Sequence, residues 1–94
     1  MTRPFNQGKP VAIITGAAGG IGQAIADRLS RQGYRLALTD IQSKKLELVQ
    51  ARLSGDHLTH AADITQPDQV QKLVDSVVEQ TGRVDVLVNN AGII

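Results

Sequence analysis

The sequence predicts a doubly wound α/β fold built around a parallel sheet. Three observations point there. Four short strand-like runs alternate with three helix-periodic segments, the connections between them are short, and the first two runs are unbroken apolar stretches of the kind buried on both faces of a parallel sheet. Strand–helix–strand units of this kind close with right-handed crossovers, so the order β-α-β-α-β-α-β describes the N-terminal half of such a sheet.

Each element has its own justification. Residues 1–9 carry Pro4, Gly8 and polar side chains without periodicity and read as a tail. Val11-Ala12-Ile13-Ile14-Thr15, bounded by Pro10 and Gly16, is the first strand. Ile21, Ala24, Ile25 and Leu29 recur at three- and four-residue spacing and predict the inner stripe of a first helix, which Gly33 closes in a left-handed turn. Leu36-Ala37-Leu38-Thr39 is the second strand, ending at Asp40, and Leu46, Val49 and Leu53 mark a second helix that stops near Gly55. A polar-rich third strand from His57 to Ala62 leads to Asp63. Thr65 is placed to cap the third helix, with Asp68 completing a capping-box pattern and Pro67 tolerated in the first turn. Val70, Leu73, Val74 and Val77 predict its buried face, and Gly82 follows its end. The fourth strand spans Val84 to Val88, interrupted by Asp85. Right-handed crossovers put the first two helices on one sheet face and the third on the other, leaving that second face partly bare and the fourth strand an unpaired apolar edge.

Composition bounds the function. The 94 residues, 41% of them hydrophobic, suffice for one small domain. Ten basic and nine acidic side chains give a net charge of +1 spread along the chain, so no electrostatic footprint for nucleic acid or an anionic membrane is present. The absence of cysteine excludes a disulfide framework, a thiolate metal site and a cysteine nucleophile together. No apolar run approaches the ~18 residues of a membrane span, and Met1 to Pro10 lacks the apolar stretch of a signal peptide. The expectation is a cytoplasmic, soluble chain.

The chemistry concentrates in Thr15-Gly16-Ala17-Ala18-Gly19-Gly20-Ile21-Gly22, between the first strand and the first helix. There the backbone comes closest to a bound pyrophosphate. Gly16 lets the strand turn sharply, Gly20 leaves room for phosphates, and Gly22 lets the helix pack tightly on the sheet, while the helix N-terminus offers unpaired N–H groups. The spacing is Gly-x3-Gly-x-Gly, not the commoner Gly-x-Gly-x-x-Gly dinucleotide pattern. Asp40, ending the second strand, is placed to accept hydrogen bonds from both hydroxyls of an adenosine ribose; read blandly, it is a solvated strand-end carboxylate. Asp63 ends the third strand on the same carboxyl edge, so three strand ends converge on one crevice.

Thr15-Gly16-x-x-x-Gly20-x-Gly22, then Asp63, then Asn89-Asn90-Ala91-Gly92 after an apolar strand, resemble the ordered motifs of the short-chain dehydrogenase/reductase family. The resemblance covers the chain from Val11 onward and implies that residues 1–94 are the N-terminal part of a single Rossmann-type NAD(P)-binding domain. By that resemblance Gly16, Ala18, Gly19, Gly20, Ile21 and Gly22 form the phosphate loop, and Asp40 and Ile41 take the ribose. Asp63 bonds the adenine amino group, Ile64 adds a backbone contact, and Asn90, Ala91 and Gly92 lie along the adenosine ribose. Asn89 and Asn90 have a plainer reading as a turn whose amides satisfy loose backbone groups. Asp40, with uncharged Ala18 and Gly19, points to NAD rather than NADP, because nothing cationic stands ready for a 2′-phosphate.

The family's general acid/base is a Tyr-x-x-x-Lys pair, with a Ser and an Asn. Here the single tyrosine, Tyr34, is followed four positions on by Leu38, so no catalytic residue is assigned and the C-terminal catalytic part is expected beyond Ile94. Ser30, Ser43, Ser54 and Ser76 have no activating partner, and His57 and His60, lacking metal-ligand companions, read as surface or strand-edge residues. The resemblance implies an oxidoreductase moving hydride between NAD and a carbonyl/alcohol small-molecule substrate, in a homo-oligomer. Two alternatives remain at this point: an S-adenosylmethionine-dependent methyltransferase, which also uses a glycine loop and an acidic residue after the second strand, and a non-catalytic nucleotide-binding module.

Overall fold

The computed structural model describes residues 8–91. The elements are β1 (Val11–Thr15), α1 (Gly20–Arg31), β2 (Arg35–Asp40), α2 (Ser43–Arg52), β3 (Leu58–Ala61), α3 (Pro67–Thr81) and β4 (Val86–Val88). All strand pairs are parallel and the order is β3-β2-β1-β4, with Ile13 in register with Ala37 on one side and Leu87 on the other. Strand order therefore reverses between β1 and β4, and the crevice beyond the carboxyl ends at such a reversal is where doubly wound sheets receive ligands.

Alternation along the strands builds two cores. Ala12, Ile14, Leu36 and Leu38 meet Ala26 of α1 and Leu46 and Val49 of α2; Val11, Ile13 and Ala37 meet Leu73 and Val77 of α3. The first two helices thus share one face and the third takes the other, as crossover handedness dictates. The α3 side is the less covered, with Leu87 61% and Val78 45% exposed. No helix of the described residues is long and apolar enough to cross a membrane.

Helix ends follow their local chemistry. Gly33, at φ 93°, ends α1 with the Tyr34 N–H on Leu29 O and its own N–H on Ser30 O, the two bonds of a left-handed helix stop. Gly82 turns left-handed at φ 80° after α3 with a single backbone bond, its N–H to Val78 O at 2.7 Å, and the next N–H, of Arg83, goes to the Thr81 hydroxyl.

Several local expectations change. In α1, Ile21 is 71% exposed and Ala24 is exposed, while Gly22 and Ala26 face inward. The helix start sits against the glycine loop, so small residues occupy the inner side and the larger Ile21 is displaced outward. In α3, Val74 is 37% exposed, on a flank that no described element covers. Thr65 does not cap that helix: Gln66 occupies the cap position without a side-chain bond, and the Thr65 hydroxyl is held by the Asp63 carboxylate instead. The fourth strand begins only at Val86, because Asp85 exchanges bonds with the start of β1. Its N–H donates to Val11 O, and its Oδ2 accepts the Val11 N–H at 2.8 Å. Arg83 pairs with the same carboxylate at 2.6 Å.

His57 is not a surface residue. It is 4% exposed, and its Nδ1 accepts the Leu36 N–H at 3.0 Å. The ring proton therefore sits on Nε2, which lies 2.8 Å from Ser54 O and 3.2 Å from Ser30 Oγ.

Candidate functional site

The site is assembled from the carboxyl ends of all four strands, beginning with Thr15. Its Oγ1 accepts the N–H groups of Asn90 (2.9 Å) and Ala91 (3.0 Å), and lies 3.3 Å from both Val88 O and Asn89 Oδ1 as acceptors for its hydroxyl. One hydroxyl thereby fixes the segment after β4 against the glycine loop.

Gly16 turns the chain at φ 65°, and a Cβ there would lie 3.0 Å from Ala91 Cα and 3.1 Å from Asn90 Nδ2. Asn90 Nδ2 donates to Gly16 O at 3.3 Å, so the structural role open to this asparagine is realised. A Cβ at Gly22 would stand 2.2 Å from Gly16 O and 2.9 Å from Ala17 Cα. That glycine is required by the loop's own backbone rather than by helix–sheet packing. Gly20 is different: a Cβ there meets nothing within 4 Å, so its missing side chain only keeps the crevice open. The first N–H of α1 with a backbone partner is that of Gln23, bonded to Gly19 O at 2.9 Å. Those of Gly20, Ile21 and Gly22 precede it and have no intrahelical acceptor, which leaves partial positive charge at the loop.

Two carboxylates face this loop. Asp40 Oδ2 accepts the Ala18 N–H at 3.1 Å and Oδ1 accepts the Gln42 N–H at 3.1 Å, so one backbone bond on each oxygen holds the group still. Asp63 Oδ1 accepts both the hydroxyl (2.6 Å) and the N–H (3.0 Å) of Thr65, while the Asp63 N–H donates to Gln69 Oε1 at 2.7 Å. Those Thr65 bonds, the hydroxyl first, hold the Asp63 carboxyl below its ordinary value. Both bonds fall on Oδ1, leaving Oδ2 as its open acceptor.

A cavity of about 540 Å³ lies over these groups. Of the residues singled out in the sequence, Gly16, Gly19, Gly20, Ile21, Asp40, Ile41, Asp63, Ile64, Asn90 and Ala91 line it. Ala18 and Gly22 do not; they are buried beneath it and shape the loop. Gly92 lies outside the described residues. Thr39, Gln42, Ala62 and Thr65 also line the cavity and were not anticipated, and neither was Gln69. Only the residues following Asp40 and Asp63 offered a signal, since Asx turns bond two positions on. None of the lining residues is Lys or Arg, and Lys44 and Lys45 are exposed on α2. Among the described residues no group of three His, Asp or Glu side chains is placed to hold a metal ion. Tyr34 packs on the α1–α2 core and takes no part in the cavity.

A model of the family described as short chain dehydrogenase matches residues 10–94. D-threitol dehydrogenase of Mycolicibacterium smegmatis is 42% identical over 86 residues, covering 88% of this chain and 33% of that protein. Among solved structures, NAD+-bound xylitol dehydrogenase superposes with a TM-score of 0.85 at 38% identity, covering 89% of this chain and 34% of that one. A metagenomic short-chain oxidoreductase in complex with NADP gives 0.85 at 40% identity, covering 89% and 39%. The chain spans about a third of the length of the curated relatives it matches.

Proposed function

The chain belongs to the short-chain dehydrogenase family, and from that premise we propose that it forms the NAD-binding part of an oxidoreductase that moves hydride between the nicotinamide cofactor and a carbonyl/alcohol substrate. The observation that carries the reading is the anchored Asp40 carboxylate beside the helix N-terminus in one cavity. In this reading the N–H groups of Gly20 and Ile21 receive the pyrophosphate. Asp40 takes the adenosine ribose hydroxyls with the acceptor capacity left on each oxygen, and Ile41 packs beside it. Asp63 Oδ2 accepts from the adenine amino group, with Ile64 and Ala91 bordering the adenosine. When bound, NAD supplies the hydride chemistry; the residues described here bind and orient it.

Selectivity for NAD over NADP rests on the same cavity. A 2′-phosphate would face the Asp40 charge with no cation among the lining residues to offset it. Relatives bound to NADP and to NAD both occur among the solved structures, so the preference is argued from these residues alone. The methyltransferase alternative is not favoured, given the family. We take the working enzyme to be a cytoplasmic homo-oligomer acting on a small molecule, with its proton-transfer residues outside the 94 described in sequence.

The test is turnover: full-length protein incubated with NAD and a panel of primary and secondary alcohols, followed by the absorbance of reduced nicotinamide. The reading expects NAD-dependent oxidation of at least one. Failure to bind NAD at all would sink it.

A further inference from the structure

Ala18 is 4% exposed, and both of its peptide groups are engaged. Its N–H donates to Asp40 Oδ2, and its carbonyl accepts from Gln23 Nε2 at 2.9 Å. The other end of the Ala18–Gly19 peptide, the Gly19 N–H, donates to Gly16 O at 3.2 Å. Gln23 is fixed in turn by α2, whose Arg52 guanidinium donates to Gln23 Oε1. The amide polarity has one solution, because the reverse orientation would set oxygen against the Ala18 carbonyl and NH2 against a cation.

From this we infer that Gln23, outside the cavity, is a positioning residue for the nucleotide loop; the inference rests on the nucleotide-binding reading above. Without its donor, the buried Ala18 carbonyl has no partner. A peptide in that position gains hydration by turning toward the open crevice. Such a turn presents a carbonyl oxygen, the negative end of the dipole, where the pyrophosphate is expected, and releases the Gly19 N–H from Gly16. Arg52 contributes indirectly, by holding the Gln23 side chain in the rotamer that reaches back to the loop.

The experiment measures ADP-ribose binding by calorimetry, and thermal melting, in the full-length wild-type protein and in Gln23→Met, Gln23→Glu and Arg52→Met. Gln23→Met removes both bonds. Gln23→Glu keeps an acceptor for Arg52, and so keeps the tie between the helices, but offers no donor to Ala18 O while ionised. We expect Gln23→Met and Gln23→Glu to weaken binding by about fivefold or more, the worth of one net hydrogen bond, with Gln23→Glu, which keeps the Arg52 tie, melting closer to wild type than Gln23→Met; Arg52→Met should cost less, about twofold. Wild-type affinity in Gln23→Glu would make the residue a mere helix–helix tie and overturn the proposal, as would unchanged affinity in Gln23→Met. If wild type itself binds no ADP-ribose, the nucleotide reading fails first and this inference with it.

Discussion

Each Asp40 oxygen already accepts one backbone N–H, so its orientation is set before any ligand arrives. Hydrogen bonds to a charged acceptor of this kind are worth ~1–3 kcal/mol net, so Asp40→Ala should weaken NAD binding by about that amount and narrow the discrimination against NADP. Titration calorimetry with both cofactors checks this. Gly19→Arg should narrow it further, since a Cβ at Gly19 meets only an ordinary contact of 3.5 Å. The glycines separate in the same way. Gly22→Ala drives a Cβ into Gly16 O and should cost ~1–3 kcal/mol of stability in a denaturant melt, the usual range for overpacking. Gly20→Ala meets no atom and should leave the melt intact while lowering nucleotide affinity. Asp63 makes a pH prediction. Held below its ordinary value by Thr65, the carboxyl stays charged to lower pH than an ordinary aspartate, and what the charged form contributes is lost as pH falls through that lowered folded value. Thr65→Val removes the largest cause and should move the acid limb of nucleotide binding to higher pH. Asp40, Asp63 and the glycine turn were legible in sequence because their chemistry is local to a strand end. Gln69, Gln23 and the Thr15 hub were not, since their partners are set by tertiary approach and carry no spacing signal.

The elements repeat the pattern. β1, β2, β4 and the three helices were legible from apolar runs, stripes and glycine punctuation, whereas the polar-rich β3, half-buried at the sheet edge, was placed by its position between α2 and Asp63. What escaped were ends and rotations: Thr65 was drawn from its cap by a nearby carboxylate, and Asp85 from the strand by the start of β1. His57 escaped for another reason. A histidine in a polar-rich stretch has no periodicity to mark it as buried, yet its ring joins the end of α1, the start of β2 and the loop before β3. His57→Ala leaves the Leu36 N–H unpaired in the interior and should cost ~1–3 kcal/mol, measured by urea unfolding at neutral pH. The same variant should leave nucleotide affinity nearly unchanged, because this clasp sits at the opposite edge of the sheet from the cavity.

For the whole molecule, the two faces of the sheet are unequally covered. Leu87 at the β4 edge, with Val74, Val78 and Val84, leaves apolar surface beside an edge strand that has pairing capacity on one side. Such edges recruit other chains. The 94 residues expressed alone should self-associate at micromolar concentration, visible in sedimentation velocity; a monomer melting cooperatively would contradict this. The same polypeptide should show no NAD-dependent turnover, as it holds no Tyr-x-x-x-Lys pair. Crossover handedness made this imbalance readable from the sequence, although the particular side chains left bare were not. NAD selectivity of this cavity is read from the ratio of kcat/KM for NAD to that for NADP in the full-length protein. The ratio should lie well above one and fall toward one in Asp40→Ala; a wild-type ratio favouring NADP would overturn the role given to Asp40.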